Sequence, residues 1–187
     1  MPRMLKPALI FVALLSVQLS GRSQTSKGVF EYFGEWSDVT VSKSADPQAR
    51  GNTLQLWKDN GALVGFLNEY VGPVADPPFG PIQDVKLDAK TGKFLFKVKL
   101  SLGVTTLKGQ SQFVPTRDLY LFTGTLSDQE VRGSVEQQDQ LRNGIPSVKR
   151  NVVWKREKSD DPFWTGKTLQ QWRDFYAPIL KARGPKW

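Results

Sequence analysis

From Gly28 onward the apolar residues recur with a period of two, in short segments broken by turn signals, and few folds accommodate that pattern. Successive side chains of a strand point to opposite faces, so segments of this kind read as half-buried β-strands. Phe30, Tyr32 and Trp36 alternate with Glu31 and Glu35, with Gly34 between them, and Val39 and Val41 prolong the segment. Residues 42–52 are polar, contain Pro47 and Gly51, and read as a loop. Leu54, Leu56 and Trp57 then lead through Asp59-Asn60-Gly61 into Leu63 and Leu67. Asn-Gly between two apolar runs marks a tight hairpin, because the turn requires positive φ.

The same grammar recurs downstream. Val85 and Leu87 meet Lys90-Thr91-Gly92-Lys93, and Phe94, Phe96, Val98 and Leu100 follow in strict alternation. Residues 119–126, a turn near Ser127-Asp128, residues 131–135, and a last strand over 148–155 complete the series. The pattern predicts an all-β fold of about eight strands, either an antiparallel up-and-down barrel or a two-sheet sandwich. Gly65, Gly124 and Gly133 fall inside strands, where glycine marks sharp coiling or close backbone approach. Lys97 and Lys99 read as a solvated face. Residues 72–81 hold four prolines and two glycines around Val74 and Phe79, and are expected to cross a barrel end or cap an edge.

The two ends of the chain differ from this body. Arg3 and Lys6 precede an apolar run over residues 8–19, and Gly21 and Ser23 follow at cleavage-site spacing, which predicts an export signal over 1–23. That run is too short to span a bilayer, which takes roughly 20 residues. The expected organisation is therefore 1–23 signal, 24–157 β-barrel domain and 158–187 basic tail. In the tail, Thr168 sits three residues before Gln171 as in a capping box, and Leu169, Trp172, Tyr176 and Ile179 recur at helical spacing. A C-terminal amphipathic helix follows, ended by Gly184-Pro185 and kinked or restarted at Pro178. Residues 24–148 carry 13 basic and 14 acidic side chains, whereas 149–187 carry 10 and 4, so the positive charge resides in the tail.

Composition narrows the chemistry. The chain has no Cys, so disulfides, thiol catalysis and thiolate metal sites are excluded. An exported domain without disulfides leans towards a bacterial periplasmic or secreted protein. It also has no His, which removes Ser-His-Asp constellations and imidazole ligation. No phosphate-binding glycine loop, dinucleotide fingerprint or calcium loop occurs. Glu31 and Glu35 would lie roughly 13 Å apart on one outer strand face, too far for paired-carboxylate work. The expectation is a non-enzymatic protein without cofactor or metal, binding no nucleic acid, and with no transmembrane segment after signal removal.

Two candidate binding regions remain. Phe30, Tyr32, Trp36, Phe66, Phe94, Phe96 and Phe122 either fill the barrel or line a pocket for a small apolar ligand, with Phe79 in the Pro-rich loop as a lid. Trp172, Arg173, Lys181 and Arg183 lie on the tail helix, which either packs on the barrel or docks an acidic protein or an anionic envelope surface. Residues 28–157 carry Phe30-x-Tyr32-x-Gly34-x-Trp36 near the start, Leu63-x-Gly65-x-Leu67 and Val131-x-Gly133-x-Val135 after turns, and the terminal Val152-Val153-Trp154-Lys155-Arg156. In these features the segment resembles the lipocalin-like (calycin-type) barrels of bacterial exported proteins. The resemblance implies an up-and-down barrel that holds a small apolar ligand or serves as an accessory module. The Pro-rich loop and the Trp-rich tail lie outside that pattern.

Overall fold

The computed structural model describes residues 30–73, 77–142, 144–159 and 161–187. The expected export signal, residues 1–23, lies outside the described residues, as do residues 24–29. The strands are β1 (Phe30–Ser37), β2 (Thr40–Val41), β3 (Gln48–Asp59), β4 (Ala62–Pro73), β5 (Phe79–Leu87) and β6 (Lys93–Leu100). They continue with β7 (Val104–Thr106), β8 (Phe113–Pro115), β9 (Asp118–Leu126), β10 (Glu130–Asp139) and β11 (Val148–Arg156). A 3₁₀ turn, Pro162–Trp164, precedes the helix α1 (Leu169–Arg183).

Eight of these strands form one antiparallel meander in the order β1-β11-β10-β9-β6-β5-β4-β3, and β3 pairs back onto β1. The sheet is thus a closed barrel and not a sandwich. β2 continues along β3 beyond the bend at Asp38, and β7–β8 form a separate ribbon within the β6–β9 connection. The two ends of the barrel differ. One has the tight turns after β3, β5 and β9, the first with positive φ at Asn60 and Gly61 as the hairpin motif requires. The other, the loop end, gathers the β2 bend, the β4–β5 and β10–β11 connections and the β7–β8 ribbon.

The apolar residues separate into two cores on opposite sides of the barrel wall. Inside the barrel lie Trp36, Leu54, Leu56, Leu67, Phe94, Phe96, Phe122 and Trp154, with their neighbours. Outside it, Phe30, Trp57, Phe66 and Phe79 pack with Trp164 and Trp172 beneath the helix. A β-bulge in β1 makes the division. Tyr32 pairs with Trp57 but Gly34 pairs with Leu56, so the phase slips by one residue between them. Phe30 and Tyr32 therefore face outward while Trp36, two positions beyond Gly34, faces inward. The same slip places Glu31 opposite Lys58 and Glu35 opposite Gln55, on different faces. The shared outer face expected of Glu31 and Glu35 does not exist.

Several element boundaries also differ from expectation. β3 begins at Gln48, so the loop after β2 is shorter than residues 42–52, because Ala49 and Arg50 find ladder partners on both sides. The Pro-rich stretch is partly strand, with Pro81 opposite Phe66 in the β4–β5 ladder. The helix runs through Pro178 unbroken, and it is capped by the Thr168–Gln171 box at its start. Gly124 and Gly133 face each other across β9 and β10. A Cβ on Gly124 would sit 2.1 Å from the Arg132 carbonyl oxygen and 2.8 Å from the Phe122 ring, which lies over the glycine pair.

Two outcomes follow. Gly124→Ala forces the two strands or the Phe122 ring apart and should lower stability by about 1–3 kcal/mol in urea unfolding. Deletion of residues 158–187 uncovers Phe30, Trp57, Phe66 and Phe79, and should cost at least ~3 kcal/mol in the same assay. An unchanged unfolding midpoint after the deletion would mean that the helix contributes nothing to the fold.

Candidate functional site

The barrel interior is divided along its axis. Towards the tight turns it is occupied by aromatic rings in mutual contact. Phe96 stacks on Phe122 at 4.9 Å between centroids, and Phe122 on Trp154 at 5.3 Å. Towards the loop end the inward positions become polar. Arg150 Nη2 donates to Asn52 Oδ1 at 2.7 Å and to Glu69 Oε2 at 3.2 Å, and Asn52 Nδ2 donates to the same Glu69 carboxylate. Gln137 Nε2 donates to Asp118 Oδ1 at 3.0 Å, while the buried Asp118 Oδ2 has no partner among the described residues. Burial pushes the Glu69 carboxyl above its ordinary range; Arg150 and Asn52 oppose that rise, and Asp38 and Asp118 add to it. The same burial raises the Tyr120 hydroxyl.

Outside the wall, α1 lies over β3, β4 and the start of β5, and the seam between helix and barrel leaves a cleft of about 280 Å³. Its floor is Phe66 and Phe79, whose ring centroids are 5.6 Å apart, and Tyr176 approaches Phe66 to 4.5 Å from the helix. Ile179 and Pro77 complete the apolar walls, and Gln55 and Asn68 add amide groups. The Arg183 guanidinium stands over the Phe79 ring, 5.6 Å from its centroid. An apolar cleft with a few convergent polar groups is the general form of a small-molecule site, here at the lower limit of size.

A second hollow of about 580 Å³ opens where β4 and β5 part company, between Leu63, Val85, Leu87 and Leu95. Only three residue pairs join those strands, and a bulge near Asp84, at φ 51°, carries β5 away from β4. Its polar groups are the Lys86 and Lys93 side chains and the Asp88 carboxylate, and no aromatic ring lines it. The helix–barrel cleft is the better-built site.

The residues singled out from the sequence are redistributed accordingly. Trp36, Phe94, Phe96 and Phe122 face the barrel axis, whereas Phe30, Tyr32, Phe66 and Phe79 belong to the outer core. Trp172 is buried under the helix against Phe66, at 5.0 Å between centroids, and is not exposed for a partner. Arg173 and Lys181 are exposed. Phe66 and Phe79 from one candidate set and Arg183 from the other meet in one cleft. No family model, curated protein or solved structure matches this chain. Among the described residues no helix is long and apolar enough to cross a membrane, and no three acidic side chains gather to hold a metal ion.

Sequence reasoning passed over Asn52, Glu69, Asp118 and Arg150. A signal was present for two of them: Glu69 continues the inward phase of Leu63, Gly65 and Leu67, and Arg150 that of Val152 and Trp154. Opposite charges in apolar phases of two strands are a mark of an interior ion pair. Gln55, Asn68, Tyr176 and Ile179 carried no such signal, because the cleft exists only once the helix is docked.

Glu69 sets a pH dependence. Its folded-state value lies above the unfolded one, so its stabilising contribution is complete below the unfolded value and is lost as pH rises through the folded value. Over the pH range that begins at about 4, the ordinary carboxylate value, the natural protein should progressively lose stability relative to Glu69→Gln in urea titrations. A difference between the two proteins that stays constant over that range would uncouple Glu69 ionisation from folding.

Proposed function

We propose that this chain is an exported, non-catalytic binding domain of the lipocalin-like barrel type, and that it takes a small amphiphilic anion in the helix–barrel cleft. The carrying observation is the convergence of Phe66, Phe79 and Tyr176 around about 280 Å³, with the Arg183 guanidinium at its edge. A flat or aliphatic apolar body would lie against the rings, and an acid group would share Arg183. The amides of Gln55 and Asn68 are placed to orient a polar substituent. The barrel axis is less suited to an apolar ligand, since aromatic rings occupy one half and hydrogen-bonded polar groups line the other. The absence of His and Cys from the sequence supports binding without catalysis. The export reading rests on Arg3, Lys6, the apolar run that follows them and the small residues at 21 and 23.

Native mass spectrometry of protein purified from its own host tests the site. The wild type should carry a co-purified small molecule. Ile179→Trp, which fills the cleft, should lose it, and Phe96→Leu, inside the barrel, should keep it. The reverse pattern would place the ligand on the barrel axis, and a titration of the wild type with 2-naphthoate that leaves tryptophan emission unchanged would sink the cleft reading. Expression of the full chain in a bacterial host should yield an intact mass that begins at Gln24; retention of residues 1–23 in the purified protein would remove the export reading.

A further inference from the structure

The exposed large apolar side chains are not spread evenly over the surface. Val41 lies in β2 just past the bend, Val71 near the end of β4, Val104 and Phe113 on the β7–β8 ribbon, Ile145 in the β10–β11 connection and Val148 at the start of β11. These six of the nine exposed large apolar side chains among the described residues stand at the loop end of the barrel, the other three being Leu87, Phe163 and Phe175, and the most exposed are Phe113 at 72% and Val104 at 63%. The ribbon shows how they are presented. Val104 pairs with Pro115 and Thr106 with Phe113, so one face of the ribbon carries Val104, Thr106, Phe113 and Pro115, all exposed. A packed structure has no folding reason to hold an apolar ribbon face in water.

The charge at the same end is mostly positive. Residues 101–117 and 140–149 together hold four basic side chains and no acidic one, and among the described residues only Arg142 of the four is ion-paired, with Asp139 at the end of β10. Lys108, Arg117 and Lys149 are exposed there, and on the neighbouring β2–β3 segment Lys43 and Arg50 are exposed together with a single acid, Asp46. The tail adds to this rim. Trp187 donates its indole N–H to the Leu100 carbonyl at 3.2 Å, and it lies with Lys186 in a hollow beside Arg117 and Leu141.

We infer that the loop end of the barrel docks on an anionic lipid bilayer, with Val104 and Phe113 entering the headgroup boundary and the surrounding Lys and Arg side chains meeting the lipid phosphates. Two observations select a bilayer as the occupant. The apolar tips stand on four separate connections around a ring, where a protein partner of ordinary affinity would need one continuous complementary patch of about 800 Å². Cations set among protruding apolar tips are complementary to the negative surface and apolar interior of such a membrane. The docking face is distinct from the helix–barrel cleft and does not depend on the ligand proposed there.

The test is flotation of the purified protein with vesicles. Phosphatidylcholine vesicles containing phosphatidylglycerol should carry the protein upward in a density gradient, and pure phosphatidylcholine vesicles should carry much less. Phe113→Asp combined with Val104→Asp should reduce the bound fraction about tenfold or more. Both positions are exposed, so the thermal midpoint should not move; Lys108→Glu with Lys149→Glu supplies a second weakening variant should the first pair fail to fold. Arg173→Glu with Lys181→Glu, on the helix, should leave flotation unchanged. No flotation with the anionic vesicles, full flotation of the Phe113/Val104 variant, or loss confined to the helix variant would overturn the inference. So would a concentration-dependent dimer that requires Phe113 while the vesicles stay unbound.

Discussion

Closure of the meander through β1 is the constraint on which the rest of the molecule depends. β1 must pair with β3 along its length and still meet β11, yet only Trp36 and Ser37 have ladder partners on β11. The join is continued by the Glu157 N–H, which donates to the Glu35 carbonyl at 2.9 Å, and by Arg156, whose guanidinium donates to the Phe33 carbonyl at 2.8 Å and lies over the Trp36 ring. The bulge between Tyr32 and Gly34 makes the bend possible and, in the same step, reverses the facing of the strand. A barrel closed without that slip would put Phe30 and Tyr32 inside with Trp36. Its interior already holds Phe94, Phe96, Phe122 and Trp154 in contact, and two further rings would overfill it.

With two rings directed outward, the outer wall of β1, β3 and β4 becomes an apolar surface that requires a cover. The helix and the 3₁₀ turn before it supply the cover, in which Trp172 stacks on Phe66 and Trp164 on Tyr176 while Leu169, Ile179 and Leu180 fill in around the rings. The indole N–H groups of Trp57 and Trp172 are buried without hydrogen-bond partners among the described residues. Shape and dispersion, rather than directional polar contacts, therefore hold the helix in place. A seam of rigid rings cannot close completely, and the cleft beside Arg183 is the space that remains.

The polar groups follow a separate logic along the axis. Arg150, Glu69 and Asn52 form a hydrogen-bonded group inside the loop end, where Arg150 keeps partial access to water. Beyond it, the connections carry exposed Val and Phe side chains among Lys and Arg. The barrel thus grades from a packed aromatic half, through a paired polar layer, to a basic and apolar rim. Stability resides in the first of these layers, and the last adds little to it.

The sequence by itself determined the eight strands of the barrel though not the short β2, β7 and β8, the hairpin turn at Asn60-Gly61, the close approach at Gly124 and Gly133, and the capped helix from Thr168. Each of these is a local property, written in alternation, in φ preferences or in a capping box that acts over a few residues. It did not determine which aromatic residues share a space. Phe66 and Leu67 are both apolar neighbours in β4, and Phe30, Tyr32 and Trp36 keep an unbroken period of two through a bulge that leaves no mark on that period. Alternation says that faces differ, not which face is the inside, and a bulge is settled by the closure of the whole sheet. Only the tertiary structure decided that Phe66 and Phe79 join Arg183 across 104 or more residues of chain, because that contact requires the helix to lie on the wall.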